Sequence, residues 1–454
     1  MDEPEVIRRT LIDTETSAHH TETMTTQKDE VHLSYPEARE VAVSAGAILQ
    51  PRTPIATKEL FAGRWNQLTT VADAVVQQGL HVAIYGERGV GKTSLANVVK
   101  ATIMAFDSIG SGEKPAQERL VVKANTNRGE QFSTIWNKLF SDISWLDERP
   151  SLGLRPGMRA RISLQDAFGL PDLLGVDEVR RTLSNLPGSV FIIDEFDRAA
   201  LDTSRNFTDL IKALSDFAID CTIILVGVSD TVDQFVADHA SISRALVQIL
   251  LPRMELAELD EILSNAEKCL SVRFSEEARS LIVNISQGLP HYTHLIGLHA
   301  VRKAALDRLT LGIERQDVFN ALKEAVKQAQ QTVTEKYSNA IHSAHKDAQY
   351  RHVLLATAIA AAVSHDALGY FNPSSVSVPL AAILNRPVEI ATFNNHLAEF
   401  CQPKRGPVLE RVGRPRAYRY RFQDPLLVPF VFMSAIATGL VSDQQIAELL
   451  GSTF

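Results

Sequence analysis

Five short stretches of this chain are continuously apolar, and amphipathic stretches separate them. The apolar runs fall at 82–84, within 120–127, at 190–193, within 221–230 and within 246–252. Helical patterns occupy 64–79, 94–101, 132–143, a stretch near 175–185 and another near 205–218. A strand buried on both faces has no polar side to present. The alternation therefore predicts an α/β core, a parallel sheet covered by helices on both faces. Residues 147–170, rich in Arg, Gly and Pro, read as an inserted loop.

From Met254 the period changes. Ala278, Leu281, Ile282 and Ile285 recur at i, i+3, i+4 and i+7, Gly288 stops that helix, and Pro290 can start the next. An all-helical lid is expected over 253–345, after a core over 35–252. Beyond it, helices are expected at 352–365, 376–384 and 389–402. Strands at 408–412 and 416–422 follow, joined by Gly413-Arg414-Pro415. Three helices and a two-stranded ribbon make a winged-helix pattern over 346–454. Residues 1–34 are polar, rich in Thr and Glu and aperiodic, which predicts a disordered tail.

Length and charge narrow the classes. With 454 residues the chain is too long for one core. Its 45% hydrophobic and 22% charged content is that of a soluble globular protein. A net charge of −8 excludes a polycation, so nucleic-acid contact would need a local basic patch. Cys221, Cys269 and Cys401 are scattered and read as reduced thiols in a cytoplasmic protein. The run 425–441 is short for a membrane span and carries Pro429, Ser434, Thr438 and Gly439, so it is expected to be a buried segment.

The chemistry concentrates after the first apolar run. Gly86-Glu87-Arg88-Gly89-Val90-Gly91-Lys92-Thr93 sits between a strand and a helix, the context that makes a glycine-rich turn a phosphate-binding loop. Glycines let main-chain N–H groups curl around phosphate oxygens at a helix N-terminus. Lys92 supplies a mobile charge, the Thr93 hydroxyl can ligate Mg²⁺, and Ser94 continues the helix. Asp194 ends the 190–193 run and can hold Mg²⁺, while Glu195 can face an attacking water.

Other polar positions end strands or start helices. Ser229 or Asp230 could contact the outermost phosphate or orient the water, and the residues do not choose between them. Asn125 could hydrogen-bond Glu195. Arg244 could reach the phosphates of a neighbouring subunit or of its own, whereas Arg253 reads as a surface residue. His291, at a helix start, could report the phosphate state.

The ribbon carries Lys404, Arg405, Arg411, Arg414, Arg416, Arg419 and Arg421 against Glu410 alone. Strand alternation sets Arg419 and Arg421 opposite Tyr418, Tyr420 and Phe422, leaving a basic face free for DNA phosphates. The preceding helix offers Thr392, Asn394, Asn395 and His396 to a groove. A charged edge hairpin without a nucleic-acid role is the alternative.

The phosphate loop, the Asp-Glu pair, the polar strand end, Arg244, the Gly-Leu-Pro helix start and the ribbon together resemble AAA+ ATPases. The nearest group is the initiator, or origin-recognition, type, with the STAND signalling ATPases beside it. The resemblance implies ATP and Mg²⁺ as ligands, with the adenine near Ile55, Phe61, Gly63 and Arg64. It also implies Thr93 and Asp194 at the metal, Glu195 as catalytic carboxylate, Asn125 as its partner amide and Arg244 as a finger. Where AAA+ lids usually carry a sensor arginine this chain has His291, as expected of a slow ATP-gated switch. A homo-oligomer, DNA and a separate effector protein are the implied partners, in replication, transposition or defence against mobile elements. A signalling ATPase whose winged helix binds protein is the alternative.

Overall fold

The computed structural model describes residues 32–108, 119–148, 159–234, 236–343, 349–366, 368–415 and 417–451. The five apolar runs form strands β1 (His81–Gly86), β2 (Leu120–Asn125), β3 (Ser189–Asp194), β4 (Cys221–Val228) and β5 (Leu246–Leu250). They make one parallel sheet in the order β2-β3-β4-β1-β5. Register aligns their C-terminal ends: Asn125 lies opposite Asp194, and Gly86 opposite Val228. That shared edge is where a doubly covered parallel sheet places its ligand.

Alternate residues feed two cores. Ala83, Phe191, Ile193, Ile223 and Leu225 face Trp136, Phe140 and Phe207 on the helices Phe132–Ser141 and Leu201–Asp216. Val82, Ile84, Val190, Ile192, Ile224 and Val226 face the other way. Their core continues without a break into the lid and the C-terminal unit.

Five helices build the lid: Leu256–Leu270, Glu276–Ser286, Pro290–Asp307, Arg315–Gln328 and Gln331–Ile341. Gly288 (φ 75°) is where the backbone turns between the second and third, and a Cβ there would lie 2.6 Å from that of Arg253. The helix Tyr35–Ile48, expected with the core, packs on the lid helices Leu256–Leu270 and Pro290–Asp307. The loop expected at 147–170 is partly regular structure: the antiparallel strands Ser144–Glu148 and Arg159–Ser163 and the helix Leu164–Phe168 reach into it, and residues 149–158 lie outside the described residues. So do residues 1–31, most of the expected tail.

In the C-terminal unit, helices Tyr350–Val363, Ser374–Leu384 and Ile390–Phe400 precede the hairpin β6 (Leu409–Val412) and β7 (Arg419–Phe422). Phe371 adds a bridge to Tyr420, which the sequence pattern did not reveal. The apolar run near the end forms the helix Leu427–Ala437, buried on every side. Among the described residues no helix is long and apolar enough to cross a membrane.

Candidate functional site

A cavity of about 580 Å³ opens at the C-terminal edge of the sheet, between core and lid. The turn that borders it follows from its glycines. Gly86, Gly89 and Gly91 have φ of 151°, 89° and 99°, conformations in which side chains are strained. At Gly86 a Cβ would meet the Leu251 carbonyl at 2.3 Å, so only glycine lets β1 turn there. Lys92 opens the helix Lys92–Ser108, and its Nζ donates to the carbonyls of Gly86 (3.0 Å) and Glu87 (2.7 Å). Burial pushes the Lys92 amine down to about 8, with Asp197, Asp194 and Glu87 opposing that shift.

The acids arrive from β3. Asp194 is 2% exposed and its Oδ1 accepts the Glu195 N–H at 2.9 Å. Glu195 adopts a left-handed conformation (φ 56°), which turns the chain into the short helix Phe196–Arg198. A non-glycine residue held there stores about 1–3 kcal/mol of strain, the kind of outlier found at functional sites. Its carboxylate is held by Arg198 at 2.9 Å. Asp197 accepts the Val228 N–H at 2.8 Å, tying the acid turn to the end of β4.

Many predicted residues converge on this cavity. Lys92, Thr93, Ser94, Asp194 and Glu195 line it, with Arg88, Gly89, Val90 and Gly91 from the loop. Ile55, Phe61 and Arg64 line its other end with Met254 and Ile262. The Ile55 N–H donates to Ser94 Oγ at 3.1 Å, joining the segment before the loop to the helix after it. His291 also lines the cavity; its Nδ1 lies 2.6 Å from the Pro51 carbonyl, and burial lowers its pKa.

Other expected residues sit elsewhere or are engaged by the chain itself. Gly63 lies behind the cavity wall and donates its N–H to Glu261. The Arg64 guanidinium is committed to the Pro252 carbonyl and to Glu258. Glu87 points away from the cavity and pairs with Arg253 at 2.7 Å. This corrects the reading of Arg253 as a surface residue, for it braces the phosphate loop from behind. The Asn125–Glu195 contact is not formed: Asn125 is exposed at its strand end, and Arg198, three residues along, takes Glu195 instead. Ser229 is buried with its hydroxyl turned to the Thr231 carbonyl. Asp230 pairs with Arg421 at 2.8 Å, on the far side of the loop from the cavity.

Arg244 precedes β5, whose first residue lies opposite His81 at the start of β1. The phosphate loop follows the other end of β1, about 16 Å away at the rise of a strand. A role for Arg244 at its own site is thereby excluded. Its side chain is 90% exposed, 4.0 Å from Asp216.

The hairpin's basic face is not free as expected. Arg421 pairs with Glu410 (2.7 Å) and Asp230, and Arg419 pairs with Asp366. Arg405 is nearly buried against Glu399 and the Tyr350 ring. Asp230 and Asp366 are distant in sequence, so a count along the ribbon alone overlooks them. Arg414 and Arg411 are exposed, the latter 4.1 Å over the Tyr418 ring, as are Asn394 and Asn395. Tyr420 and Phe422 pack inward as alternation required. Arg416 lies outside the described residues.

Sequence reasoning missed Lys123, Asp197, Arg198 and His294. Lys123 was visible as a charge inside an apolar strand, and Asp197 and Arg198 continue the Asp-Glu turn. His294 lies one helical turn beyond His291, also lines the cavity, and has a buried Nδ1 without a partner.

The C-terminal unit reaches the loop itself. A Cβ on Gly89 would lie 2.8 Å from Leu426, whose carbonyl accepts the Tyr292 hydroxyl. Asp424, 3% exposed, stands 3.6 Å from Arg88 of the loop and 2.8 Å from Lys336 of the lid.

The family model described as Novel STAND NTPase 1 matches residues 54–365. No curated protein matches the chain. Among solved structures, the chain is similar to the ORC2 protein of Aeropyrum pernix at 14% identity, covering 89% of this chain and 98% of that one, with a TM-score of 0.46. It is similar to Cdc6p of Pyrobaculum aerophilum at 14% identity, covering 88% and 98%, with a TM-score of 0.44. The ORC1 protein of Aeropyrum pernix, solved with DNA, gives 14% identity, 87% and 97% coverage and a TM-score of 0.41.

Proposed function

The chain belongs to the Novel STAND NTPase 1 family, and from that premise we propose that it is an ATP-hydrolysing, Mg²⁺-dependent switch. The observation that carries this reading is the convergence of Lys92, Thr93, Asp194 and Glu195 on one cavity. Its apolar end, with Ile55, Phe61, Met254 and Ile262, suits a purine base.

The residues present fit a divalent cation. Thr93 lines the cavity, and Asp194 Oδ2 is a buried oxygen that accepts no well-aligned hydrogen bond. Thr93 and Asp194 would hold Mg²⁺, which when bound neutralises phosphate charge. Lys92 exchanges its two loop carbonyls for phosphate oxygens, and those anions favour its protonated form. Glu195 accepts a proton from the attacking water as that oxygen bonds to the terminal phosphorus and the bond to the bridging oxygen breaks. Arg198 engages one oxygen of Glu195 in an exposed pair, for which water competes. The enzyme is read as slow and stimulated by a partner.

Arg244, exposed beside the edge strand β5, would complete the site of a neighbouring copy in an ATP-dependent oligomer. The C-terminal unit is read as a winged helix that engages DNA through Arg411, Arg414, Asn394 and Asn395. A second reading has its own support: Arg421 and Arg419 bind acids of the chain itself. In that reading the winged helix serves the protein's own core, or a protein partner, in signalling.

Nucleotide binding and turnover test the central claim. Lys92→Ala should lose binding of a fluorescent ATP analogue. Glu195→Gln should bind it like the parent and release no phosphate. Hydrolysis at the parent rate by Glu195→Gln would remove Glu195 as the base.

A further inference from the structure

Strand β2 carries one charge within its apolar run. Lys123 is 14% exposed at the side chain, and its surroundings account for its presence. Its Nζ donates to Asn97 Oδ1 at 2.7 Å and lies 2.9 Å from Asp194 Oδ2. Asn97 stands four residues beyond Thr93, on the same face of the helix Lys92–Ser108. The ammonium therefore links that helix, one turn beyond Thr93, to the carboxylate of Asp194.

The two oxygens of Asp194 are not equivalent. Oδ1 is taken by the Glu195 N–H. Oδ2 has the Lys123 charge beside it, while the Lys123 hydrogen bond itself goes to Asn97. A buried carboxylate without a cation is costly, and Lys123 supplies the compensating charge from within the chain. A metal ion reaching Oδ2 meets a positive charge already in place.

We propose that Lys123 is an internal counter-cation that shares Asp194 Oδ2 with the divalent metal and weakens metal binding at the nucleotide site. It is a positioning residue: it acts on the metal through Asp194. The proposal rests on the reading of Asp194 as the metal carboxylate. Two consequences follow. The metal-free fold is stabilised by Lys123, and the metal requirement of nucleotide binding is set above what Thr93 and Asp194 alone would give.

The test titrates Mg²⁺ into the full-length chain with a fluorescent ATP analogue and follows thermal unfolding in parallel. Lys123→Met keeps the length and removes the charge; Lys123→Gln keeps a donor for Asn97; Lys123→Arg keeps the charge. The half-saturating Mg²⁺ concentration should fall on the order of ten-fold in the Met and Gln variants and stay near the parent's in Lys123→Arg. Without metal, the Met variant should melt below the parent, and Mg²⁺ with nucleotide should close that gap. Should the Met variant fail to fold, the Gln and Arg pair carries the comparison.

Asp194→Asn separates the two levels. If it raises the parent's Mg²⁺ requirement while Lys123→Met and Lys123→Gln leave it unchanged, the role of Lys123 is overturned and the metal carboxylate stands. If Asp194→Asn leaves the Mg²⁺ requirement unchanged, Asp194 is not the metal carboxylate, and the proposal falls with it.

Discussion

Acid should destabilise this protein through two uncharged histidines. His81 starts β1 with no exposed surface; its Nδ1 accepts the Ile223 N–H at 3.0 Å and its Nε2 has no partner. Burial pushes its pKa down to about 3. His294 is pushed down to about 4, by burial first and by His291 second. In the unfolded chain both take up a proton near the ordinary histidine value. A folded-state pKa below the unfolded one means that the unfolded chain binds more protons in the window between them. Stability is then complete above the unfolded value and drains away as the pH falls toward the folded one. From about pH 7 to about pH 5.5 the loss is roughly 1.2 kcal/mol for each histidine, or roughly 2.5 kcal/mol together. His291, His299, His352 and His396 shift in the same direction and add to it. Urea unfolding followed by circular dichroism at the two pH values measures this. His81→Gln retains an acceptor for Ile223, and His294→Leu removes the unpartnered Nδ1. Each should abolish about half of the loss ascribed to the pair. A double variant as acid-sensitive as the parent would refute the assignment of the loss to these two groups.

Two further predictions concern the C-terminal unit. Arg411→Gln with Arg414→Gln should weaken DNA binding and flatten its salt dependence by up to about two units of slope, read from affinity against salt concentration. An unchanged slope would move the weight to the protein-binding reading. In a double-mutant cycle, Arg421→Ala and Asp230→Ala should show a coupling of about 1 kcal/mol in thermal unfolding, because the pair is only partly shielded from water. Additive losses would mean that this pair does not hold the hairpin to the core.

Legibility differed by the range of the interaction that decides each feature. The strands were readable because burial on both faces leaves a continuous apolar run, as in 190–193. The phosphate loop was readable because its glycines are required by a local turn. The partners of the charged residues were not. Glu195 and Arg198 are three apart, yet the pairing depends on a left-handed residue that no periodicity announces. Asp230 and Arg421 are separated by 191 positions, and only packing of the hairpin against the core brings them together. Arg253 appeared peripheral because its partner, Glu87, lies in the loop it supports. Lys123 could have been singled out, since a lysine in the middle of a buried strand needs an acid or an amide beside it.

Asp424 gives the nucleotide loop an unusually short line of communication. One shielded carboxylate stands between a guanidinium of the loop and an ammonium of the lid, and two residues later Leu426 rests on Gly89. A loop that shifted around a ligand would move Arg88 relative to Asp424 and Gly89 relative to Leu426. Any such shift would reach the C-terminal unit through direct contacts of the loop, with no relay of intermediate residues.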